Sequence, residues 1–233
     1  MIAAVIPALD EEGSVGRVVR DLKVSVAAVI VVDNGSVDDT ARVARDAGAI
    51  VVSEPRRGYG HACLAGVRRA GELGATMILF LDGDGSDDPR EAGKLIEPIL
   101  AGRADLVVGV RTRNPANLAN MTPVQRLGNR FAPWLMRVLL RAPYHDMPPY
   151  KAIRITALDA LKLSDTGYGF TIELLIRAHA RGLKIVEVDV SCLRRAEGQS
   201  KVSGTVGGSI KAASKIVYTI GRHALISKRQ SRR

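Results

Sequence analysis

The sequence predicts an α/β protein with a mainly parallel central sheet flanked by helices, and three observations carry that prediction. Short aliphatic runs alternate with helical patterns through the first 110 residues. Each run is continuously apolar, as expected of strands buried on both faces. The runs end in Gly- and Asp-rich turns, where open α/β sheets place their ligands.

Taken in order, residues 2–6, 28–32, 49–52, 77–81 and 106–110 are the expected strands, and 13–23, 36–47, 60–73 and 88–101 the helices between them. Ser36 and Asp39 have capping-box-like spacing at the start of the second helix. Asp87 and Asp88 precede Pro89, which favours the first helical position, so both are read as caps of the fourth helix. Beyond residue 110 the pattern changes. A helix is expected over 123–141, kinked at Pro133 and carrying Arg126, Arg130, Arg137 and Arg141. A Pro-rich turn, a strand over 151–155, a helix near 170–181 and a strand over 183–190 follow. The last segment, 204–226, is Gly- and Ser-rich and then amphipathic. This divides one compact domain into a ligand-binding half (1–110), a second half with a loop (111–203) and a basic amphipathic tail (204–233).

Composition bounds the function. At 233 residues, 46% hydrophobic and 25% charged, the chain has the means to form a sizeable core. Cys63 and Cys192 have neither disulfide-framework nor zinc-ligand spacing, and both are read as small buried hydrophobes in a reducing, cytoplasmic setting. No apolar run approaches the length of a membrane span, and the first strand is too short for a signal peptide. The net charge of +10 is unevenly distributed. Residues 1–110 hold 12 Lys/Arg against 17 Asp/Glu, 111–154 hold 8 against 1, and 194–233 hold 10 against 1. Two basic blocks point to polyanionic partners, either phosphorylated substrates or an anionic membrane surface. Aromatic residues make up only 4% of the chain, too few stacking platforms for a nucleic-acid binder.

The fourth run ends in Asp82-Gly83-Asp84, with Asp87 and Asp88 close behind. Hard cations such as Mg²⁺ or Mn²⁺ take one or two carboxylates from the protein and complete their shell with water and phosphate oxygens. An Asp-Gly-Asp turn alone is equally consistent with a metal site and with an acidic helix cap. Asp33 has a similar double reading, as a ligand-binding residue or as an Asx turn closing a strand. Phe131 and Trp134 read as core or membrane-edge residues, and His61 as a packing or capping residue.

Several segments together resemble the family 2 glycosyltransferases, in particular the dolichol-phosphate mannose synthase-like and polyprenyl-phosphate glycosyltransferase branch. They are Ile6-Pro7-Ala8-Leu9-Asp10-Glu11-Glu12, Val31-Val32-Asp33-Asn34-Gly35-Ser36-Val37-Asp38-Asp39-Thr40, Arg57-Gly58-Tyr59-Gly60, Asp82-Gly83-Asp84, Gly109-Val110-Arg111, Phe170-Thr171-Ile172-Glu173-Leu174-Leu175 and Arg195-Ala196-Glu197-Gly198-Gln199-Ser200-Lys201. The resemblance implies a GT-A fold, a UDP- or GDP-sugar donor, Mg²⁺ or Mn²⁺ as cofactor and inversion at the anomeric carbon. Carried over by position, Pro7, Ala8, Glu11, Asp33, Gly58, Asp82, Gly83 and Asp84 would form the nucleotide-sugar site, with Asp82 and Asp84 meeting the metal. Arg111, Arg126, Arg130, Lys151, Arg195, Ser200 and Lys201 would face the acceptor and its phosphate, with Arg154 nearby. Asp84, Glu173 and Arg195 would be catalytic. Glu173 occupies the place of the family's base, required only if the acceptor is a hydroxyl; Asp146 is a second candidate. Three positions depart from the family's pattern: Asp10 for Asn, Asn34 for Asp, and Ser86 where relatives often carry Gln.

The favoured acceptor is a polyprenyl phosphate, met by an enzyme held peripherally on the cytoplasmic face of the membrane by its basic amphipathic tail. A soluble or lipid hydroxyl acceptor is the alternative, and a non-catalytic nucleotide-binding module a more distant one. Homo-oligomerisation is left open.

Overall fold

A computed structural model describes residues 1–195 and 214–222 of the chain. Its elements are β1 (Ile2–Ala8), α1 (Val15–Leu22), β2 (Ala28–Asp33), α2 (Thr40–Asp46), β3 (Ile50–Ser53), α3 (Tyr59–Glu72), β4 (Met77–Phe80), α4 (Ala92–Leu100), β5 (Leu106–Val110), α5 (Pro115–Ala119), α6 (Pro123–Leu140), β6 (Lys151–Arg154), α7 (Ile155–Leu161), α8 (Phe170–Ala180) and β7 (Ile185–Asp189). Residues 214–222 form a further helix, α9. A single seven-stranded sheet runs β3-β2-β1-β4-β6-β5-β7.

The aliphatic runs are strands because each faces two cores. Ala3, Val5, Ile30, Val32 and Phe80 pack with Cys63 of α3 and Phe170 of α8 on one face. Ala4, Ile6, Val31 and Leu79 pack with Val18 of α1 and Leu95 of α4 on the other. Alternate side chains point to opposite faces, so a strand covered on both sides needs an apolar residue at every position. Cys63 and Cys192 are buried free thiols, as expected.

β1 to β4 are parallel neighbours, but β6 pairs antiparallel with both β4 and β5. That reversal decides the site. It brings the start of β6 beside the carboxyl ends of its neighbours, with Lys151 opposite Phe80 and Val108.

The local expectations need three corrections. α2 begins at Thr40 with no side-chain cap, and Ser36 Oγ instead accepts from the Asp10 amide at 3.0 Å, so the capping box does not form. Asp88 does accept from the Arg90 amide at the 3₁₀ turn Pro89–Glu91; Asp87 caps nothing and is fully buried. α5 and α7, each short and without a long amphipathic period, were not anticipated. The box that does form is at α6, where Thr122 and Gln125 bond each other's backbone amides.

Candidate active site

A cleft of about 630 Å³ opens over the carboxyl ends of β1, β2 and β4 and is closed on its far side by the turn before α6, α6 itself, the 192–195 segment and α9. Of the residues singled out from sequence, Pro7, Ala8, Glu11, Gly58, Asp82, Gly83, Asp84, Arg111 and Arg195 line it. They come from five separate regions of chain, and only the parallel sheet brings them together.

The acidic end is built at the turn after β4. Asp84 Oδ1 accepts from the Ser86 amide at 2.8 Å, which closes the turn. Asp87 Oδ2 lies 3.4 Å from the Asp82 amide. Asp82 Oδ1 and Asp87 Oδ1 are buried with no hydrogen-bond partner among the described residues. Burial, and then the neighbouring charges of Asp84 and Asp87, push the Asp82 carboxyl well above the usual carboxylate range. Burial likewise lifts Asp87 to about 6, against the attraction of Arg111. Folding rarely leaves carboxylate oxygens buried and unpaired, because each such group costs free energy.

A divalent cation fits this donor set. Among the described residues no three or more His, Cys, Asp or Glu side chains are arranged to hold a metal by themselves. Mg²⁺ and Mn²⁺ do not need such a cage when a diphosphate and water supply the remaining oxygens. In the structure a protein cation stands nearby: Arg195 Nη2 lies 2.6 Å from Asp84 Oδ2, and its Nη1 lies 3.2 Å from Glu11 Oε1. Arg195 thus spans the cleft from the 192–195 segment to both the β1 turn and the β4 turn.

The basic side has two members, Arg111 partly buried and Lys151 fully buried. Arg111, at the end of β5, is clamped by Asp146, which accepts from its Nε and Nη2 at 3.1 Å and from its backbone amide at 3.0 Å. Burial alone would depress the Arg111 pKa, but the Asp146 carboxylate more than reverses this and keeps the guanidinium charged. Asp146 is therefore fixed as a partner of Arg111. Lys151 does not line the cleft; it sits directly behind it, donating to the carbonyls of Pro148 and Pro149 and to Thr171 Oγ1 at 3.2, 2.8 and 3.2 Å. Burial lowers its pKa to about 8.

Other expected residues lie elsewhere. Asp33 accepts from the Ser36 amide at 2.9 Å, an Asx-type turn, and is not part of the cleft wall. Glu173 is likewise absent from the wall. Its Oε2 accepts from the amides of Ser164 and Asp165 at 2.9 and 2.7 Å, and its Oε1 meets Ser164 Oγ at 3.1 Å and Arg177 Nη2 at 2.7 Å. Arg126 and Arg130 are exposed on α6, outside the cleft, and Arg154 turns to Asp105 and the Ile99 carbonyl. Ser200 and Lys201 lie outside the described residues.

The structure adds residues that the sequence reading did not place there. Asn34 donates to the carbonyls of Glu54 and Arg56 and accepts from the Gly58 amide, all at 2.8 Å, so it ties the end of β2 to the loop before α3. Asn120, Gln125, Asn129, Tyr168 and Thr171 complete the far wall. Asn34 and Thr171 stand inside segments that carry the family resemblance, while Gln125 and Asn129, one helical turn apart on α6, are polar positions overshadowed by the arginines beside them.

The comparisons with known proteins agree with this geometry. The family model described as "Glycosyl transferase family 2" matches residues 3–162. An uncharacterized glycosyltransferase of Mycobacterium tuberculosis is 42% identical over 213 residues, covering 91% of this chain and 94% of that protein. The undecaprenyl-phosphate mannosyltransferase of Micrococcus luteus is 29% identical over 219 residues, covering 89% of each chain. Among solved structures, glucosyl-3-phosphoglycerate synthase from Mycobacterium tuberculosis, in complex with Mn²⁺, UDP-glucose and phosphoglyceric acid, superposes with a TM-score of 0.73 at 26% identity, covering 95% of this chain and 80% of that one. Mannosyl-3-phosphoglycerate synthase from Rubrobacter xylanophilus, with a TM-score of 0.80 at 19% identity, covers 98% of this chain and 75% of that one and shares the fold. With its GT-A sheet, its acidic β4 turn and a family match over more than half its length, the chain belongs to glycosyl transferase family 2 and is a glycosyltransferase.

Proposed function

We propose that the chain transfers a sugar from a UDP- or GDP-sugar to a polyprenyl phosphate, with inversion and with Mg²⁺ or Mn²⁺ at Asp82 and Asp84. The observation that carries this reading is the Asp82–Asp84 pair, with a buried and unpaired Asp82 oxygen, in one cleft with Arg111 and Arg195. When bound, the metal would neutralise the donor diphosphate and stabilise its charge as it leaves. Pro7, Ala8, Gly58 and Gly83 leave backbone-lined space for the nucleotide beside that pair.

In the transfer step an acceptor phosphate oxygen forms the new bond to the anomeric carbon while the bond from that carbon to the diphosphate breaks, releasing UDP or GDP. An acceptor phosphate is already anionic, so no proton has to be removed. That suits a site in which Glu173 and Asp146 are both engaged by structural partners. Arg195 is poised to exchange its contact with Asp84 for the leaving diphosphate, to which a guanidinium offers paired donors. Ser200 and Lys201 are proposed as further contacts to the acceptor phosphate.

The polyprenyl acceptor is supported by the near full-length relationship to the Micrococcus luteus enzyme. A second reading, transfer to the hydroxyl of a small phosphorylated acid, draws on the neighbour solved with UDP-glucose and phosphoglyceric acid. A panel of UDP- and GDP-sugars, with and without Mn²⁺, tests the donor side by protection against unfolding. A ligand at 100 times its Kd adds about 2.7 kcal/mol. Asp84→Ala is expected to abolish Mn²⁺-dependent protection and transfer together. Undiminished transfer by Asp84→Ala, or no turnover of any sugar nucleotide by the wild type, refutes the reading. Offering undecaprenyl phosphate and phosphoglycerate side by side decides the acceptor.

A further inference from the structure

We infer that the outer face of α6 is a membrane-docking surface that inserts between the headgroups of an anionic bilayer and seats the cleft mouth on it. This deepens the reading of a membrane-borne acceptor and rests on that reading for its purpose.

α6 is amphipathic on the side opposite to that expected of a surface helix. Its core side is Ala132, Pro133 and Met136, all buried. On the opposite side Val124, Leu127, Phe131, Trp134 and Val138 are 50, 70, 45, 56 and 58% exposed. They recur at three- and four-residue steps, and at about 100° per residue they form a stripe about 80° wide, directly away from the core face. Phe131 and Trp134 lie with ring centroids 5.8 Å apart. Five large apolar side chains in one row on water are unusual for a soluble surface.

The charges beside the stripe select the occupant. Arg126, Arg130, Arg137 and Arg141 fall along one flank of it, all exposed, and the helix has no acidic residue. An apolar ridge with aromatic residues and a row of arginines is the composition of a helix lying in a lipid interface, with the guanidiniums at the level of the phosphates. A second copy of the chain is disfavoured as occupant. An antiparallel two-fold contact through the stripe would bring two arginine rows together, and a parallel one would leave a row on each rim, in both cases with no carboxylate on the helix to offset them.

The placement also serves the site. Gln125 and Asn129 on the inner side of the same helix line the cleft, so lipid on the outer side lies one helix diameter, about 10 Å, from the cleft wall. A lipid-linked phosphate could reach Arg111 with its chain still in the bilayer. Ile216 of α9 lines the same cleft, and Val217 and Tyr218 beside it are 45 and 61% exposed, which continues the apolar rim.

Trp134 is the single tryptophan of the chain, so wild-type fluorescence reads this face directly. Vesicles of phosphatidylglycerol and phosphatidylcholine at low salt are expected to shift its emission to the blue. Brominated acyl chains should quench it, and salt should reverse the binding. Leu127→Glu/Val138→Glu, which keeps the reporter and changes only exposed positions, should bind vesicles at least tenfold more weakly with unchanged thermal unfolding. Arg137→Glu should weaken binding and flatten its salt dependence. Unchanged Trp134 emission with vesicles, or wild-type vesicle affinity in Leu127→Glu/Val138→Glu, overturns the inference. So does a wild-type dimer that the double variant converts to monomer without vesicle binding. Transfer to a water-soluble short-chain polyprenyl phosphate separates this from the acceptor reading. Equal rates in wild type and double variant are expected; no transfer by either, with vesicle binding intact, removes the acceptor and leaves the docking face standing.

Discussion

Glu173→Gln separates a scaffold role from a catalytic one. In the structure two carboxylate oxygens meet four donors: the Ser164 and Asp165 amides at Oε2, and Ser164 Oγ and Arg177 at Oε1. A glutamine keeps the shape but has one acceptor. Its best placement leaves the carbonyl on the two amides and turns the NH₂ toward Ser164 Oγ, whose hydroxyl then accepts, and toward Arg177. The loss is the charged contact with Arg177, which is 26% exposed and partly rehydrated. A hydrogen bond between charged groups contributes about 1.5–3 kcal/mol, so we expect a loss of about 2 kcal/mol and, for a chain of this size, a Tm lower by about 4–8 °C.

The pH dependence has a defined sign. Burial alone would raise the Glu173 pKa, but the amide bonds from Asp165 and Ser164 and the charge of Arg177 outweigh it, and the folded-state pKa lies below 4.5. Stability from the charged form is therefore complete above that value and lost as pH falls through the folded pKa. The gap between wild type and variant should be open at pH 7 and close in acid. Denaturant titrations at stepped pH, with transfer rates at a temperature where both proteins are folded, make the measurement. Scaffolding predicts rates within about threefold of wild type, whereas removing a general base costs about 10² to 10⁴. A rate loss of that size with unaltered stability would refute the reasoning.

Two further perturbations test the frame of the cleft. A Cβ on Gly60 would lie 2.1 Å from the Asp165 carbonyl oxygen, so Gly60→Ala is expected to cost about 2–3 kcal/mol and, by shifting the loop that carries Tyr168, to raise the donor KM; a wild-type melting curve would contradict this. Asn34→Ala leaves two carbonyls and the Gly58 amide without their side-chain partner; a loss of about 2–3 kcal/mol with weaker UDP or GDP binding is expected, read by calorimetry and nucleotide titration.

Much of this was legible in the chain. All seven strands were anticipated to within about two residues, because continuous aliphatic runs have few other uses in a soluble protein. The acidic turn after β4 was legible too, since four carboxylates within seven positions stand out against an apolar strand. Less legible were the partners. Asp87 looked like a cap beside Pro89, yet it is buried against the Asp82 amide. Asp33 and Asn34 are adjacent, and which of them faces the cleft depends on how the chain leaves β2. Lys151 looked like an acceptor-side cation, and the antiparallel turn of β6 sets it behind the wall instead.

Local chemistry therefore determined the elements and the acidic donor set: periodicity, turn residues and the clustering of like charge are properties of a short stretch of chain. The family's motifs added the fold and the class of reaction. The tertiary structure decided which charges meet. Arg195 reaches Asp84 and Glu11, Asp146 occupies Arg111, and Arg177 occupies Glu173. From sequence Phe131 and Trp134 of the α6 row read equally as core or membrane-edge residues, and the packing of Ala132 and Met136 on the opposite side is what turns the row outward. An amphipathic period specifies two faces; which of them meets the core is settled by the neighbours the fold supplies.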